Sequence, residues 1–348
     1  MRYKLFGEHS GLRVSELLLG TGNFGTRWGH GADLEESRRI LDSYAEAGGN
    51  FLDTANGYQF GEAEEILGSL LEGRRDDFVL ATKFTMRTNP ESGILATGNS
   101  RRAMVVSVEE SLKRLKTDRI DLLWAHASDG VTPVEEVVRG FDDLVRAGKI
   151  LYGGLSDFPA WRVSRAATIS EIRGMVPIVG LQVEYSLVER TTEQELLPAG
   201  FGLGLGVVAW SPLGGGMLTG KYRNGESGRR EGFRGNVFQE ENTPQRSAIL
   251  DAVVKIAGEA NVTPSEVAIA WVASKGVLPI IGPRTVAQLK NNLAAAKLRL
   301  TGEQISRLDQ VSAIPLVFPY TVLNNHGTRE LYTGGKAELF DRPVRPVA

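Results

Sequence analysis

Short apolar runs alternate with longer amphipathic stretches along most of this chain. An opening pair, Tyr3–Phe6 and Arg13–Glu16, reads as a hairpin, and Leu17–Gly20 reads as a first buried strand. Leu34–Ala47 puts charges on one side and Ile40, Leu41 and Tyr44 on the other, which is helical spacing. Strand Asn50–Asp53 then precedes helix Glu62–Glu72, and strand Phe78–Lys83 precedes helix Ser100–Leu115, where Val105, Val108, Leu112 and Leu115 recur at helical spacing. Strand Ile120–Ala125 precedes an amphipathic helix, Val134–Ala147, closed by Gly148 at a C-cap. Leu151–Leu155 with Pro159–Ile172, Val179–Val183 with a helix near Thr192–Ala199, Gly206–Trp210, and Leu278–Gly282 with Val286–Lys297 complete the series.

Eight strand–helix units predict an α/β fold, a closed (β/α)8 TIM barrel with an N-terminal β-hairpin and long loops on its C-terminal face. No interdomain linker or low-complexity tract interrupts them, so residues 1–348 are expected to form one barrel domain. Gly20-Thr21-Gly22-Asn23-Phe24-Gly25 has the wrong spacing for a Rossmann fingerprint. Two stretches stand outside the repeat. Leu213–Asn242 is long, glycine-rich and charged, and on the catalytic face of a barrel such a loop is expected to be functional. Residues 314–348 are expected to pack as a tail over one end of the barrel.

Composition narrows the possibilities. A formal net charge of -2 gives no electrostatic case for nucleic acid or an anionic membrane surface. With no cysteine, there are no disulfides, thiolate metal ligands or cysteine nucleophile. The four histidines, His9, His30, His126 and His326, are scattered, and no metal site is expected. No apolar run is long enough to span a bilayer, and no apolar signal core follows the first residues, so a cytoplasmic location is expected.

Candidate chemistry sits where strands stop. Asp53, Lys83 and His126 each close a buried apolar run, and Tyr58 follows Asp53 in a short loop. In a barrel, the C-terminal ends of the strands share one face, so the four can converge. A phenol ionises near pH ~10, and a nearby ammonium stabilises its phenolate. A carboxylate beside that ammonium keeps it charged, and an imidazole can orient a carbonyl oxygen. Together they can deliver a proton to a carbonyl oxygen. Singly, Asp53 suits a loop bond and His126 a structural role, but a lysine ending a buried strand needs a partner.

The segment Asn50-Phe51-Leu52-Asp53-Thr54-Ala55-Asn56-Gly57-Tyr58, followed by Gly61-Glu62-Ala63-Glu64, resembles the signature of the aldo-keto reductases. Thr82-Lys83, Asp118–Leu122 with His126, Trp210-Ser211-Pro212-Leu213 with Gly220-Lys221-Tyr222, and Ile280–Arg284 with Gln288 and Asn292 resemble later family motifs. The likeness runs from about Leu17 to about Asp309. It is similar in particular to the bacterial branch related to potassium-channel β-subunits.

The resemblance implies a barrel that binds NADP(H) in extended form and prefers NADPH to NADH. Tyr58 would be the general acid, tuned by Lys83 and Asp53, with His126 orienting the substrate. Ser156 and Gln182 would contact the nicotinamide carboxamide. Asp157 stands where the family usually has asparagine; it can accept from the carboxamide but cannot donate as asparagine does. Tyr185 or Trp210 would stack on the nicotinamide. Ser211, Pro212, Leu213, Gly216 and Lys221 would cradle the pyrophosphate, and Gly22 and Gly282 would also be cofactor-binding. Arg284 would clamp the adenosine 2'-phosphate, Gln288 and Asn292 would face the adenine, and Asn291 would also be cofactor-binding.

The substrate is expected to be a small-molecule carbonyl compound with a hydrophobic or bulky body. Phe24, Trp28, Phe84 and Trp124 are candidate pocket residues, with Trp161, Phe318 and Tyr320 as further aromatics. The same site would also serve an NAD(P)+-dependent alcohol or sugar dehydrogenase, and a nucleotide-sensing subunit with little turnover is a third reading. Nothing in the sequence sets an oligomeric state.

Overall fold

Eight parallel strands close a barrel in the computed structural model, which describes residues 1–224 and 239–341. The centre of the predicted loop Leu213–Asn242 and the end of the predicted tail lie outside the described residues. A two-stranded antiparallel hairpin comes first, β1 (Tyr3–Leu5) and β2 (Arg13–Ser15). The barrel strands are β3 (Leu18–Gly20), β4 (Phe51–Asp53), β5 (Val79–Phe84), β6 (Ile120–Ala125), β7 (Ile150–Ser156), β8 (Ile178–Glu184), β9 (Gly206–Trp210) and β10 (Leu278–Ile281). They neighbour one another in chain order, and β10 closes against β3. This is the predicted (β/α)8 architecture.

Helices α1 (Leu34–Glu46), α2 (Glu62–Leu70), α3 (Arg101–Leu115), α4 (Val134–Arg146), α5 (Ala160–Ile172) and α6 (Leu196–Gly202) follow β3 to β8 in turn. Side-chain caps start most of the longer helices. Asp33 accepts from the Glu36 N–H, Ser100 from Ala103, and Thr285 from Gln288. In α3 the buried face carries Met104, Val108, Leu112 and Leu115; Val105, expected there, is largely exposed, one position off the stripe.

Beyond β9 the chain departs from the simple repeat. Among the described residues, two α-helices, α7 (Pro244–Ala260) and α8 (Pro264–Ser274), stand between β9 and β10. After β10 come α9 (Val286–Ala294) and α10 (Gly302–Val311), then the short α11 (Tyr320–Leu323) and α12 (His326–Tyr332). No residue from Ile314 to Asp341 is fully buried. This segment is held at its start, where Gln194 Nε2 donates to the Pro315 carbonyl (3.0 Å) and Tyr320 Oη to Glu195 (2.8 Å).

Two cores result. One lies between the outer faces of the strands and the helices. The other fills the lumen with Phe6, Val14, Leu18, Phe51, Val79, Ala81, Leu122, Trp124, Val179, Val208, Leu278 and Ile280. Phe6 reaches in from the connection between the two hairpin strands and meets Phe51 and Trp124 edge-on, at 5.5 and 6.3 Å between centroids. Glycines make the room: a Cβ on Gly154 would lie 2.5 Å from the Trp124 ring, and one on Gly206 would lie 2.6 Å from Phe6. The barrel is therefore packed below, and chemistry is left to its upper rim.

Candidate active site

Strand register sets the heights of the functional groups. Asp53 pairs with Ala81, and Lys83 stands two residues higher on the same strand. Lys83 pairs with Trp124, and His126 follows two residues on. Gly154 pairs with Trp124, Ser156 stands two higher, and Ser156 pairs with Gln182. Side chains two apart on a strand share a face. The lumen side of the rim therefore carries Asp53, Lys83, Ser156 and Gln182 together.

At the centre is the buried Lys83 ammonium. Its Nζ forms an ion pair with Asp53, donates to the Thr54 carbonyl at 2.8 Å, and donates to Tyr58 Oη at 3.2 Å. Burial alone would lower this amine's pKa; the charges and hydrogen bonds of Asp53 and Tyr58 outweigh it, and the pKa is raised. All three donor directions of the ammonium are in use. Lys83 also lies 4.8 Å from the Tyr58 ring centroid.

The Tyr58 turn is held by backbone bonds to the strand beside it. Thr54 N–H donates to Ala81 (2.9 Å), and Asn56 N–H donates to Lys83 (3.2 Å). Tyr58 itself is half-buried, its phenol on Lys83 and its ring edge-on to His126 at 5.8 Å.

His126 keeps one edge accessible, but its Nδ1 is shut off from solvent and has no partner among the described residues. Burial, then the Lys83 ammonium, pushes the imidazole down to about 3. The open edge moderates the burial, yet both causes act in one direction and the ring is neutral near pH 7. Its backbone N–H donates to Thr85 Oγ1 at 3.3 Å, and Asn99 Nδ2 donates to the same oxygen at 2.8 Å.

Several residues at strand ends adopt left-handed backbone conformations without being glycine: Thr85 after β5, Asp157 after β7 and Ser211 after β9. Strain of this kind costs on the order of 1–3 kcal/mol each and gathers at functional sites. Asp157 accepts from Trp210 Nε1 at 3.1 Å. The surrounding protein raises its carboxyl to about 6, opposed by the Trp210 bond and Lys83. Its side chain is open to solvent, which favours the lesser end of that shift.

The predicted cofactor residues divide. Ser156 Oγ is buried with no partner among the described residues, an orphaned hydroxyl at the rim. Gln182 Nε2, by contrast, is occupied by Asp53 Oδ1 at 3.0 Å. Gly214, Gly215 and Gly216 are consecutive left-handed residues, and a Cβ on Gly214 would lie 2.7 Å from Val188. Tyr222 Oη donates to the Gly215 carbonyl at 3.0 Å, and Lys221 stacks on the Tyr222 ring at 5.0 Å.

Around the start of α9, the Arg284 N–H donates to Gln288 Oε1 at 2.8 Å, so that amide serves the backbone. Arg284 is half-buried and its guanidinium has no ion pair among the described residues. Asn291 is exposed and Asn292 is buried. Gly22 and Gly282 sit close by, bridged through Asn23, whose Nδ2 donates to the Gly282 carbonyl at 2.8 Å.

The aromatic candidates need correction. Phe84 is one residue past Lys83, so it points outward and packs on Phe141 of α4. Phe24 likewise belongs to the outer core, and Trp124 is sealed in the lumen beneath Lys83. Tyr185 is one residue past Glu184 and faces outward on Trp271, its hydroxyl donating to Glu193 at 2.5 Å. Trp161 and Phe318 are exposed, at 67% and 81%. Trp28 alone of the four pocket candidates stands beside the phenol, 6.2 Å from Tyr58 and edge-on.

A depression on the outer helices, lined by Arg139, Asp142, Asp143, Arg146, Arg173 and Met175, lies away from these groups. Its aspartates are paired with Arg146 and Arg101.

A carboxylate, a buried ammonium, a phenol and a neutral imidazole thus meet on one barrel rim. The model of the "Aldo/keto reductase family" matches residues 16–313. The chain belongs to that family. It is 38% identical over 326 residues to the Bacillus subtilis (strain 168) protein named "Uncharacterized oxidoreductase YrpG", covering 89% of this chain and 96% of that one. It is 36% identical over 349 residues to norsolorinic acid reductase A of Aspergillus parasiticus, covering 95% and 86%. It is 33% identical over 345 residues to aryl-alcohol dehydrogenase [NADP(+)] of Phanerodontia chrysosporium, covering 93% and 89%. This aldo/keto reductase is thus an oxidoreductase of carbonyl and alcohol groups. No described helix is long and apolar enough to cross a membrane.

Sequence reasoning missed several residues that support the site from outside it. Glu64 is fully buried, and its carboxylate accepts from Thr82 Oγ1 (2.5 Å) and Arg114 Nε (2.8 Å), fixing the strand residue beside Lys83. Asn99 holds the His126 loop by donating to Ala127 O at 3.0 Å and accepting from the Asp129 N–H at 2.7 Å. Gln59 is buried next to Tyr58 in a left-handed conformation. All three act through tertiary bonds, which sequence spacing does not display.

Proposed function

We propose that this aldo/keto reductase reduces aldehydes and ketones with NADPH, that Tyr58 is the proton donor, and that its substrates are aromatic carbonyl compounds. The observation that carries the reading is the Lys83 ammonium, paired with Asp53 and 3.2 Å from Tyr58 Oη.

The phenol would donate to the carbonyl oxygen as negative charge grows there. Lys83 lowers the cost of the resulting phenolate, and Asp53 keeps Lys83 charged and aimed. A neutral His126 can donate one N–H to the same oxygen without competing as an acid. NADPH, when bound, supplies the hydride to the carbonyl carbon.

The residues present fit that cofactor. Ser156 offers an unsatisfied hydroxyl to a carboxamide, and Asp157 can accept from its NH2. Gly214–Gly216 allow close backbone approach to a pyrophosphate. Arg284 and the N-terminus of α9 suit a 2'-phosphate. The aromatic substrate class is supported by Trp28 beside Tyr58, and by the name of the Phanerodontia chrysosporium relative, aryl-alcohol dehydrogenase [NADP(+)]. The same groups serve alcohol oxidation when Tyr58 begins as phenolate, the direction for which the Phanerodontia chrysosporium relative is named.

The test is a panel of benzaldehyde, 2-naphthaldehyde, a sugar aldehyde and a bulky cyclic ketone, run with NADPH and NADH side by side. Faster turnover of the aromatic carbonyls with NADPH supports the reading. Absence of turnover across the panel would refute it.

A further inference from the structure

The loop after β3 closes on itself, with a side chain from elsewhere plugged into it. Gly25 N–H donates to Ala32 O, and Ala32 N–H donates to Asn23 O, both at 2.7 Å. Gln59 fills the ring between them. Its Oε1 accepts from the Trp28 N–H at 2.7 Å, and its Nε2 donates to the His30 carbonyl at 2.9 Å and the Gly22 carbonyl at 3.5 Å. The fit is tight: a Cβ on Gly31 would lie 2.0 Å from the Gly25 carbonyl and 3.1 Å from Gln59 Nε2.

Gln59 is fully buried and directly follows Tyr58. It and Phe60 take left-handed conformations, with φ of 52° and 55°, which swing the amide back toward the loop after β3. Glu62 grips the same loop from outside, accepting from the Thr26 N–H at 2.8 Å and the Arg27 N–H at 3.0 Å. One five-residue stretch thus carries the phenol and the two side chains that hold the loop bearing Trp28. The Trp28 ring stands 6.2 Å from the rings of both Tyr58 and Phe60, edge-on to each.

The geometry points to Gln59 as a positioning residue that locks Trp28 against Tyr58, making a rigid wall that selects planar aromatic carbonyl compounds. This rests on the reductase reading above. The Gln59 side chain bonds the Trp28, His30 and Gly22 backbone and, among the described residues, neither Lys83 nor Asp53, so it acts on where the substrate body lies and leaves proton delivery alone. A flexible Trp28 would cost binding of a flat substrate, because the ordering would have to occur on binding.

The experiment has two parts. Amide hydrogen exchange at Trp28 is read first in the NADPH-free protein, and it needs no turnover. Gln59→Ala should speed exchange there by at least about tenfold while barrel-strand amides hold. Unchanged exchange at Trp28 overturns the clamp. Next, KM and kcat are measured for 2-naphthaldehyde and butanal with NADPH. Gln59→Ala should raise KM for 2-naphthaldehyde about tenfold, leaving kcat, the butanal KM and the NADPH Kd within about twofold. In a Trp28→Ala background the same change should have no further effect.

Equal KM changes for both aldehydes, or additive losses in the double variant, overturn the proposal. If Gln59→Ala fails to fold, Glu62→Gln loosens the same loop and should give the same pattern more weakly; a change confined to kcat would overturn it. Should the wild type reduce neither aldehyde, the reductase reading falls, and the clamp stands or falls on exchange alone.

Discussion

Gln182 Nε2 donates to Asp53 Oδ1 at 3.0 Å across the mouth of the barrel, from β8 to the opposite strand β4. The other oxygen of Asp53 pairs with Lys83. A residue that sequence likeness assigns to the cofactor thus also supports the Asp53–Lys83 ion pair. Gln182→Glu would place a second carboxylate against Asp53 in a buried setting. The new acid's folded pKa would be raised, so its cost is present above about pH 4.3 and relieved as pH falls. At pH 7 the variant should lose about 1–3 kcal/mol of stability and recover much of it near pH 5. Denaturant midpoints at the two pH values check this, and a loss equal at both would contradict it.

Asp53→Asn leaves the Lys83 ammonium buried without its counter-ion. Breaking a buried pair from one side costs about 3–5 kcal/mol. Lys83 would then be free to lose its proton, and turnover should fall by at least about a hundredfold. The double change Asp53→Asn with Lys83→Met removes the stranded charge, so it should be more stable than Asp53→Asn alone. Thermal melts of the three variants decide the order.

His126 is depressed to about 3 by burial and by Lys83, so it is neutral in the folded protein through mild acid. An unfolded histidine titrates near pH ~6.5. The stability it contributes is therefore complete above that pH. It drains away as pH falls and the unfolded chain takes up the proton, and is gone below about 3, where the folded ring protonates too. His126→Asn should flatten the fall in stability between pH 7 and 4. A decline as steep as in the wild type would argue against a depressed imidazole.

Arg284 has no ion pair among the described residues and stands at the start of α9. If it clamps a 2'-phosphate, Arg284→Ala should raise KM for NADPH by about tenfold or more and leave KM for NADH nearly unchanged. Steady-state kinetics with both cofactors tests this, and equal effects on the two would remove Arg284 from the role.

The barrel and the cluster of polar groups on its rim were legible because each strand announces its end. An apolar run buried on both faces stops at Asp53, at Lys83 just before the last residue of β5, or one residue before His126. The misread aromatics broke a rule the sequence already carried. Side chains alternate along a strand, so Phe84 and Tyr185, each one step beyond an inward residue, face the helices. Helix α8 gave little warning because Val267–Val272 is buried without interruption, which erases the polar stripe that marks an amphipathic helix. Gln59 and the second role of Gln182 were invisible for another reason. Their partners lie 29 to 129 residues away and meet them only after the barrel closes.

The central claim is that Tyr58 hands a proton to the substrate with Lys83 as its support. Tyr58→Phe removes one hydroxyl and keeps the ring beside Trp28 and His126. Single-turnover reduction of 2-naphthaldehyde by bound NADPH, with NADPH affinity measured on the same preparation, isolates the step. The account predicts a loss of at least about a hundredfold in rate with affinity within about twofold. A rate close to that of the wild type, with NADPH still bound, would contradict it.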